Sequence, residues 1–125
     1  MIIPDTSIWI EFLKGNKFFF PRLKELLEKN KVLAIECIFG ELLQGTRSKR
    51  EQRIVETYWK NLPQCSYGDV WIEAGKLSSD NRLYSKGIGI IDCVIILSGR
   101  KSGAKIWSLD KKLNSLLKKD EQFRL

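Results

Sequence analysis

Ile2-Ile3-Pro4-Asp5-Thr6-Ser7-Ile8-Trp9-Ile10-Glu11-Phe12-Leu13 decides how the rest of the chain is read. Met1–Ile3 is a short apolar run closed by Pro4-Asp5, the pattern of a buried strand. Thr6–Leu13 changes period. Ile8, Trp9, Phe12 and Leu13 recur at helical spacing, and Gly15-Asn16 stops the helix. A strand that runs directly into a helix puts Asp5 at the carboxyl end of a sheet strand, where open α/β folds build their sites. Aspartate is also a favoured N-cap, so both roles are open to Asp5.

The same alternation continues outward. Pro21–Lys29 reads as a helix with Pro21 at its first position and Leu23, Leu26 and Leu27 inward. Val32–Ile35 is extended, Glu36–Gln44 is a helix closed by Gly45, and Arg47–Leu62 is a longer amphipathic helix. The stripe of that last helix is Ile54, Val55, Tyr58, Trp59 and Leu62. Gln64–Tyr67 is a candidate strand. Asp69–Lys86 reads as a helix broken by Gly87–Gly89, and Ile90–Arg100 is nearly all apolar and hence central. Lys105–Leu109 is a strand, Asp110–Lys118 a helix, and Phe123–Leu125 a last edge strand. Alternating strands and helices predict an α/β fold, a mostly parallel sheet with helices on both faces, in one domain spanning 1–125.

Composition narrows the chemistry. The chain carries a formal charge of +7 and no histidine. A basic chain of this kind points to an acidic partner. Without histidine, every Ser-His-Asp or Cys-His scheme is excluded, and catalysis must run on carboxylates, Lys, Tyr or a metal. Cys37, Cys65 and Cys93 form no CxxC pair, so they read as reduced, mostly buried thiols rather than zinc ligands. No apolar run approaches the roughly 20 residues needed to span a bilayer. The start lacks the features of a secretory signal. A soluble cytoplasmic protein with no membrane partner is expected.

Against that background four acids stand out. Asp5 and Asp110 each follow a strand. Glu41 shares its helix face with Cys37, Ile38 and Gly45. Asp92 lies among Ile90, Ile91, Cys93 and Val94 and faces Ile95, Ile96 and Gly99. Three of the four have a capping or helix-dipole role available. A carboxylate at an apolar position is nevertheless costly unless it is paired or binds a metal. If the four meet, repulsion raises their pKa values unless a cation neutralises them. Oxygen donors without His or Cys suit Mg²⁺ or Mn²⁺. Such ions orient a scissile phosphate, activate water and stabilise a leaving oxygen.

These segments resemble the PIN-domain ribonucleases, specifically the VapC-type toxins, over essentially the whole chain. Residues 2–13 look like the family's opening strand, first acid and first helix. Glu41-Leu42-Leu43-Gln44-Gly45 looks like the second-acid helix, and Leu83-Tyr84 through Ile95 like the region of the third. Trp107-Ser108-Leu109-Asp110 looks like the fourth, with Ser108 where the family often has Thr. The resemblance implies a PIN-like three-layer α/β/α sandwich and Mg²⁺- or Mn²⁺-dependent cleavage of RNA by an endoribonuclease toxin. It also implies a cognate antitoxin that neutralises the toxin. By carry-over, Asp5, Glu41, Asp92 and Asp110 are the metal-site acids, Ser7 holds an acid or a metal-bound water, and Thr6 is a weaker candidate for the same work. Ser98-Gly99-Arg100-Lys101 departs from the Ala-rich helix expected there. The alternatives are a PIN-type RNA-processing nuclease without an antitoxin and a non-catalytic nucleic-acid or protein-binding module.

Arg47, Lys49, Arg50 and Arg53 could track a phosphate backbone, while Lys86, Arg100, Lys101, Lys111 and Lys112 lie nearer the acids in sequence. Phe18-Phe19-Phe20 cannot all point inward from one element. An exposed ring there suits an apolar groove for the antitoxin near the first two helices. A homodimer is also expected.

Overall fold

The computed structural model describes residues 1–125. Its elements, in order, are strand β1 (Ile2–Pro4), helices α1 (Thr6–Leu13) and α2 (Phe19–Glu28), strand β2 (Ala34–Ile35), and helices α3 (Glu36–Gln44) and α4 (Lys49–Asn61). Strand β3 (Gln64–Cys65), helix α5 (Val70–Asp80), a 3₁₀ turn at Tyr84–Lys86 and helix α6 (Ile90–Ser102) follow. Strand β4 (Lys105–Trp107), helix α7 (Lys111–Ser115) and a second 3₁₀ turn at Lys119–Glu121 complete the chain.

All the pairings are parallel. β1 pairs with β4, with Ile3 opposite Ile106, and β2 pairs with β3. A bridge from Ile2 to Val32 joins the two halves, and a bridge from Ile106 to Gln122 extends the far edge. The resulting order across the sheet is β3-β2-β1-β4 with Gln122 outermost. Successive residues of a strand point to opposite faces, and β4 shows what covers each. Ile106 packs under Gly99 of α6, where an added Cβ would come within 2.9 Å of Ile106 Cδ1. Trp107 instead meets Phe19 of α2, ring centroids 6.0 Å apart. The sheet is therefore sandwiched between helices, and Gly99 lets α6 approach it closely. The chain has an α/β fold with a fully parallel sheet, as expected.

The core lies on both sides of β1 and β4. Ile3, Ile8, Leu23, Cys93 and Leu113 are completely buried. α6 is buried over Cys93–Ile96 and again at Ser98 and Gly99, so the apolar run at 90–100 is the central helix. Trp9 anchors the α1 side, its ring meeting Phe12, Phe39 and Tyr58 at centroid distances of 5.7, 5.2 and 5.4 Å. No helix is long and apolar enough to cross a membrane.

Several element boundaries differ from the sequence expectation, each for a local reason. α2 begins at Phe19, so Pro21 is its third residue rather than its first. Its missing N–H still falls among the first four, which have no partner within a helix. The helix expected over 69–86 ends at Asp80. There Arg82 takes φ 52, and Ile88 donates to the Leu83 carbonyl at 3.0 Å. That turn buries Leu83, which a continued helix would carry elsewhere. β4 stops at Trp107 because the next backbone groups turn toward side chains. The last edge is a single bridge at Gln122, with Phe123 N–H donating to Ile106 at 2.8 Å, and not a strand over 123–125. The phenylalanine run splits. Phe20 stacks on Phe12 at 4.9 Å, Phe19 turns to Trp107, and Phe18 and Phe20 remain exposed.

Trp9 has one flaw: its buried indole N–H has no hydrogen-bond partner. Truncation to Ala should lower stability by about 3–5 kcal/mol. Trp9→Phe should cost clearly less, because it keeps a ring and removes the unsatisfied donor. Urea unfolding midpoints of the two variants should fall in that order.

Candidate metal centre

Asp5 closes β1 and opens α1. Its backbone N–H donates to the Trp107 carbonyl at 2.9 Å, fastening the end of β1 to the end of β4. Its carboxylate is only 6% exposed. One oxygen, Oδ1, accepts from the Ile8 N–H at 3.3 Å, the cap bond, and from Ser7 Oγ at 2.5 Å. The other, Oδ2, accepts from Ser108 Oγ. Cap and site are thus not alternatives for Asp5. Burial pushes its pKa up, and the hydrogen bonds from Ser108, Ser7 and the Ile8 N–H pull it back.

The two serines do matching work. Ser7 Oγ donates to Asp5 and accepts from the Leu109 N–H at 3.0 Å. Ser108 Oγ donates to Asp5 and accepts from the Asp110 N–H at 2.9 Å. Each hydroxyl has one proton, and each directs it at Asp5. Together they tie the first acid to the turn that carries the fourth. Sequence reasoning named Ser7 as a site residue and noted Ser108 only as a stand-in for Thr. The available signal was a mirror: Asp5-Thr6-Ser7 after one strand and Ser108-Leu109-Asp110 after its neighbour.

Glu41 lies on α3 and accepts from Thr6 Oγ1 at 2.7 Å. Thr6, the weaker of the two hydroxyl candidates, therefore holds the second acid as Ser7 holds the first. Asp110 is the exposed N-cap of α7 and accepts from the N–H groups of Lys112 and Leu113 at 2.8 and 3.3 Å. Asp92 stands in the first turn of α6, half-buried. Burial raises its pKa most, and the charges of Asp110, Asp5 and Glu41 raise it further. All three other acids bear on Asp92 electrostatically, Asp5 and Asp110 from the ends of β1 and β4 and Glu41 from α3.

No cation offsets them. The ion pairs of the protein are Lys14–Glu11, Lys24–Glu28, Lys29–Glu25, Arg100–Glu121 and Lys101–Glu73, none of which involves these acids. No three His, Cys, Asp or Glu side chains converge into a ready-made cage for an ion. Cys37, the thiol nearest Glu41 in sequence, is pushed up to about 11 by burial and by Glu41. The donor set fits a hard cation that takes one or two carboxylates and keeps several waters, as Mg²⁺ does. It does not fit an ion that demands a closed protein cage.

Comparison with known proteins bears on the family and the fold. The model of the family described as PIN domain matches residues 2–119. The chain is 30% identical over 119 residues to Ribonuclease VapC32 of Mycobacterium tuberculosis, in each of two strains, covering 92% of this chain and 89% of the relative. Among solved structures it superposes on a chain of VapBC2 from Rickettsia felis, crystallised with a DNA fragment from their promoter. The TM-score is 0.70 at 19% identity, over 98% of this chain and 96% of the other. At that identity the structural likeness speaks for the fold.

The raised pKa values have a signed consequence. A carboxyl group whose folded pKa lies above its ordinary value of 3.8 binds its proton more tightly in the folded state. Its stabilising contribution is complete below that value and is lost as pH rises through the folded pKa. In EDTA, the melting temperature of Asp92→Asn relative to the wild type should therefore rise from about pH 4 to about pH 7. Added Mg²⁺ at neutral pH should narrow the gap by stabilising the wild type. Thermal melts of both proteins across that range check it.

Proposed function

The chain belongs to the PIN-domain family, and we propose that it is a metal-dependent endoribonuclease of the VapC type, the toxin of a toxin–antitoxin pair. One observation carries this reading: the charges of Asp110, Asp5 and Glu41 all bear on half-buried Asp92, and none of the four acids has an ion-pair partner, in a chain with net charge +7. A purely structural role would not gather acids without pairing them. The name of the M. tuberculosis relative supports ribonuclease action, and the VapBC2 structure supports an antitoxin partner.

In this reading Asp5, Glu41, Asp92 and Asp110 would hold Mg²⁺ or Mn²⁺. The bound ion neutralises charge on the scissile phosphate and activates water. The chain's own residues orient and position. Ser7 and Ser108 fix both oxygens of Asp5, and Thr6 fixes Glu41. Without histidine, no neutral imidazole takes part. Lys112 is placed to meet a substrate phosphate. Its ammonium lies over Gly87, where a Cβ would stand 2.7 Å from Nζ, and it has no carboxylate partner. Gly87, at φ 79, precedes the α6 turn that bears Asp92.

The antitoxin has a plausible seat in the groove between α1, α3 and α4. Exposed Ile10, Leu13 and Ile54 line it, and it runs down to Glu41. A basic side chain entering from that groove would reach the carboxylates and replace the metal's charge. This groove suits such a partner better than the Phe18-Phe19-Phe20 run, where Phe20 turns away to stack on Phe12. A homodimer belongs to the same proposal, and exposed Trp71 and Ile72 on α5 offer it an apolar face.

Wild-type protein should cleave RNA with Mg²⁺ or Mn²⁺ and stop in EDTA, while Asp92→Asn should fold and fall to background in a gel-based cleavage assay. Cleavage that survives rigorous metal removal would end the proposal. Ser108→Ala should lower apparent Mg²⁺ affinity about 10- to 100-fold, since outer hydrogen-bond partners of metal-site groups carry effects of that size. A Mg²⁺ titration of cleavage rate reads it. Unchanged affinity would mean that Ser108 only braces the β4–α7 turn.

A further inference from the structure

The cavity bordered by Phe18, Trp107, Phe123 and Ser108 has no part in the reading so far. It measures about 350 Å³ and is open to solvent. Its walls are aromatic: Phe18 meets Phe19 edge-on at 4.9 Å, Phe19 meets Trp107 at 6.0 Å, and Trp107 meets Phe123 at 5.1 Å. Phe18 is 46% exposed at the mouth, with the Arg22 guanidinium over one face of its ring. Its position is not neutral, because Ser108 belongs both to this cavity and to the Asp5 hydrogen-bond network.

Charge sorts this cavity from the others. The cavity beneath Arg100 is walled in part by Asp120 and Glu121, and the groove beside α1 mixes Glu41 and Glu51 with Lys14 and Arg47. No acidic side chain lines the aromatic cavity, and Arg124 does. Arg22 adds a second cation at the mouth, its guanidinium 3.7 Å from the centre of the Phe18 ring and bonded to the Phe18 carbonyl at 2.7 Å. Asn114 supplies polarity. Its Nδ2 donates to the Ser108 carbonyl at 2.9 Å, which leaves Oδ1 free to accept from a ligand amino group.

The geometry points to a nucleobase subsite: the cavity receives a base of the single-stranded RNA next to the phosphate held at the acid cluster. This rests on the ribonuclease reading and adds a specificity element to it. An unpaired base has flat apolar faces for Phe18 and Phe123, edge groups for Asn114, and a backbone charge for Arg22 and Arg124. Stacking tolerates any base, while the Asn114 acceptor favours bases that present an amino or imino hydrogen.

The test uses full-length Asp92→Asn, which should bind without cutting, and a fluorescein-labelled mixed-sequence RNA 12-mer in Mg²⁺. Adding Phe18→Ala or Phe123→Ala should weaken binding at least about fivefold, the lower end for loss of one stacked base. Phe18→Ala removes an exposed ring, so its fold should be intact, and a thermal melt verifies this. Arg124→Gln should reduce the slope of log affinity against log salt by about one, whereas Phe18→Ala should leave the slope unchanged. In the otherwise wild-type enzyme, Phe18→Ala should raise KM for RNA cleavage and spare kcat. Folded Phe18→Ala that binds and cleaves RNA like its parent overturns the subsite and leaves the ribonuclease reading standing. A wild-type protein that neither binds nor cleaves RNA overturns both.

Discussion

Asp92 sits where burial, and after it three other carboxylates, raise its hold on a proton, and no ion pair offsets those charges. Much else in the structure follows from keeping those acids together. Like charges at short range disfavour ionisation and work against the fold that gathers them. The chain meets this with hydrogen bonds rather than with cations. Hydroxyl and N–H donors satisfy Asp5, Glu41 and Asp110 while leaving their negative charge intact. Arginine or lysine in those places would be a better stabiliser and a poorer host for a metal.

The fold and the site are held by the same bonds. Asp5 fastens β1 to β4 through its backbone N–H, starts α1 through one side-chain oxygen, and is bound to the β4–α7 turn through both serines. Moving any of these elements would displace an acid. The central sheet is short, and its strands run two or three residues each. Its rigidity near the site therefore depends on these strand-end contacts and on the packing of α6 against β4 through Gly99. That close approach accounts for the departure of 98–101 from an Ala-rich helix: at Gly99 a methyl group would collide with Ile106.

Charge is divided over the surface in a way the net value conceals. The acid cluster is negative inside a basic chain, and the groove beside α1 carries glutamates, whereas the aromatic cavity beyond Ser108 is free of acids and edged by arginine. The groove reaches Glu41 and is mixed in charge, with Lys14 and Arg47 beside its glutamates, while the cavity reaches Ser108 and carries cationic side-chain charge alone. One suits a partner that brings a cation, and the other suits a substrate that brings phosphate.

The class of fold was legible in the chain, because alternating apolar strand and amphipathic helix patterns are local and periodic. Asp5, Glu41, Asp92 and Asp110 stood out in the chain as candidates, since a charge placed at an apolar position has few bland explanations. Element ends were less legible. Asp80 ends α5 because Leu83 must turn inward, and Gln122 rather than Phe123 bridges to Ile106; both are settled by contacts between distant segments. Only the tertiary structure could show that Ser108 donates to Asp5 across 103 positions, that Thr6 rather than a cation holds Glu41, and that the three adjacent phenylalanines serve different neighbours. Periodicity fixes which face of an element is buried. Which hydroxyl meets which carboxylate depends on how separate elements pack, and no local pattern encodes that.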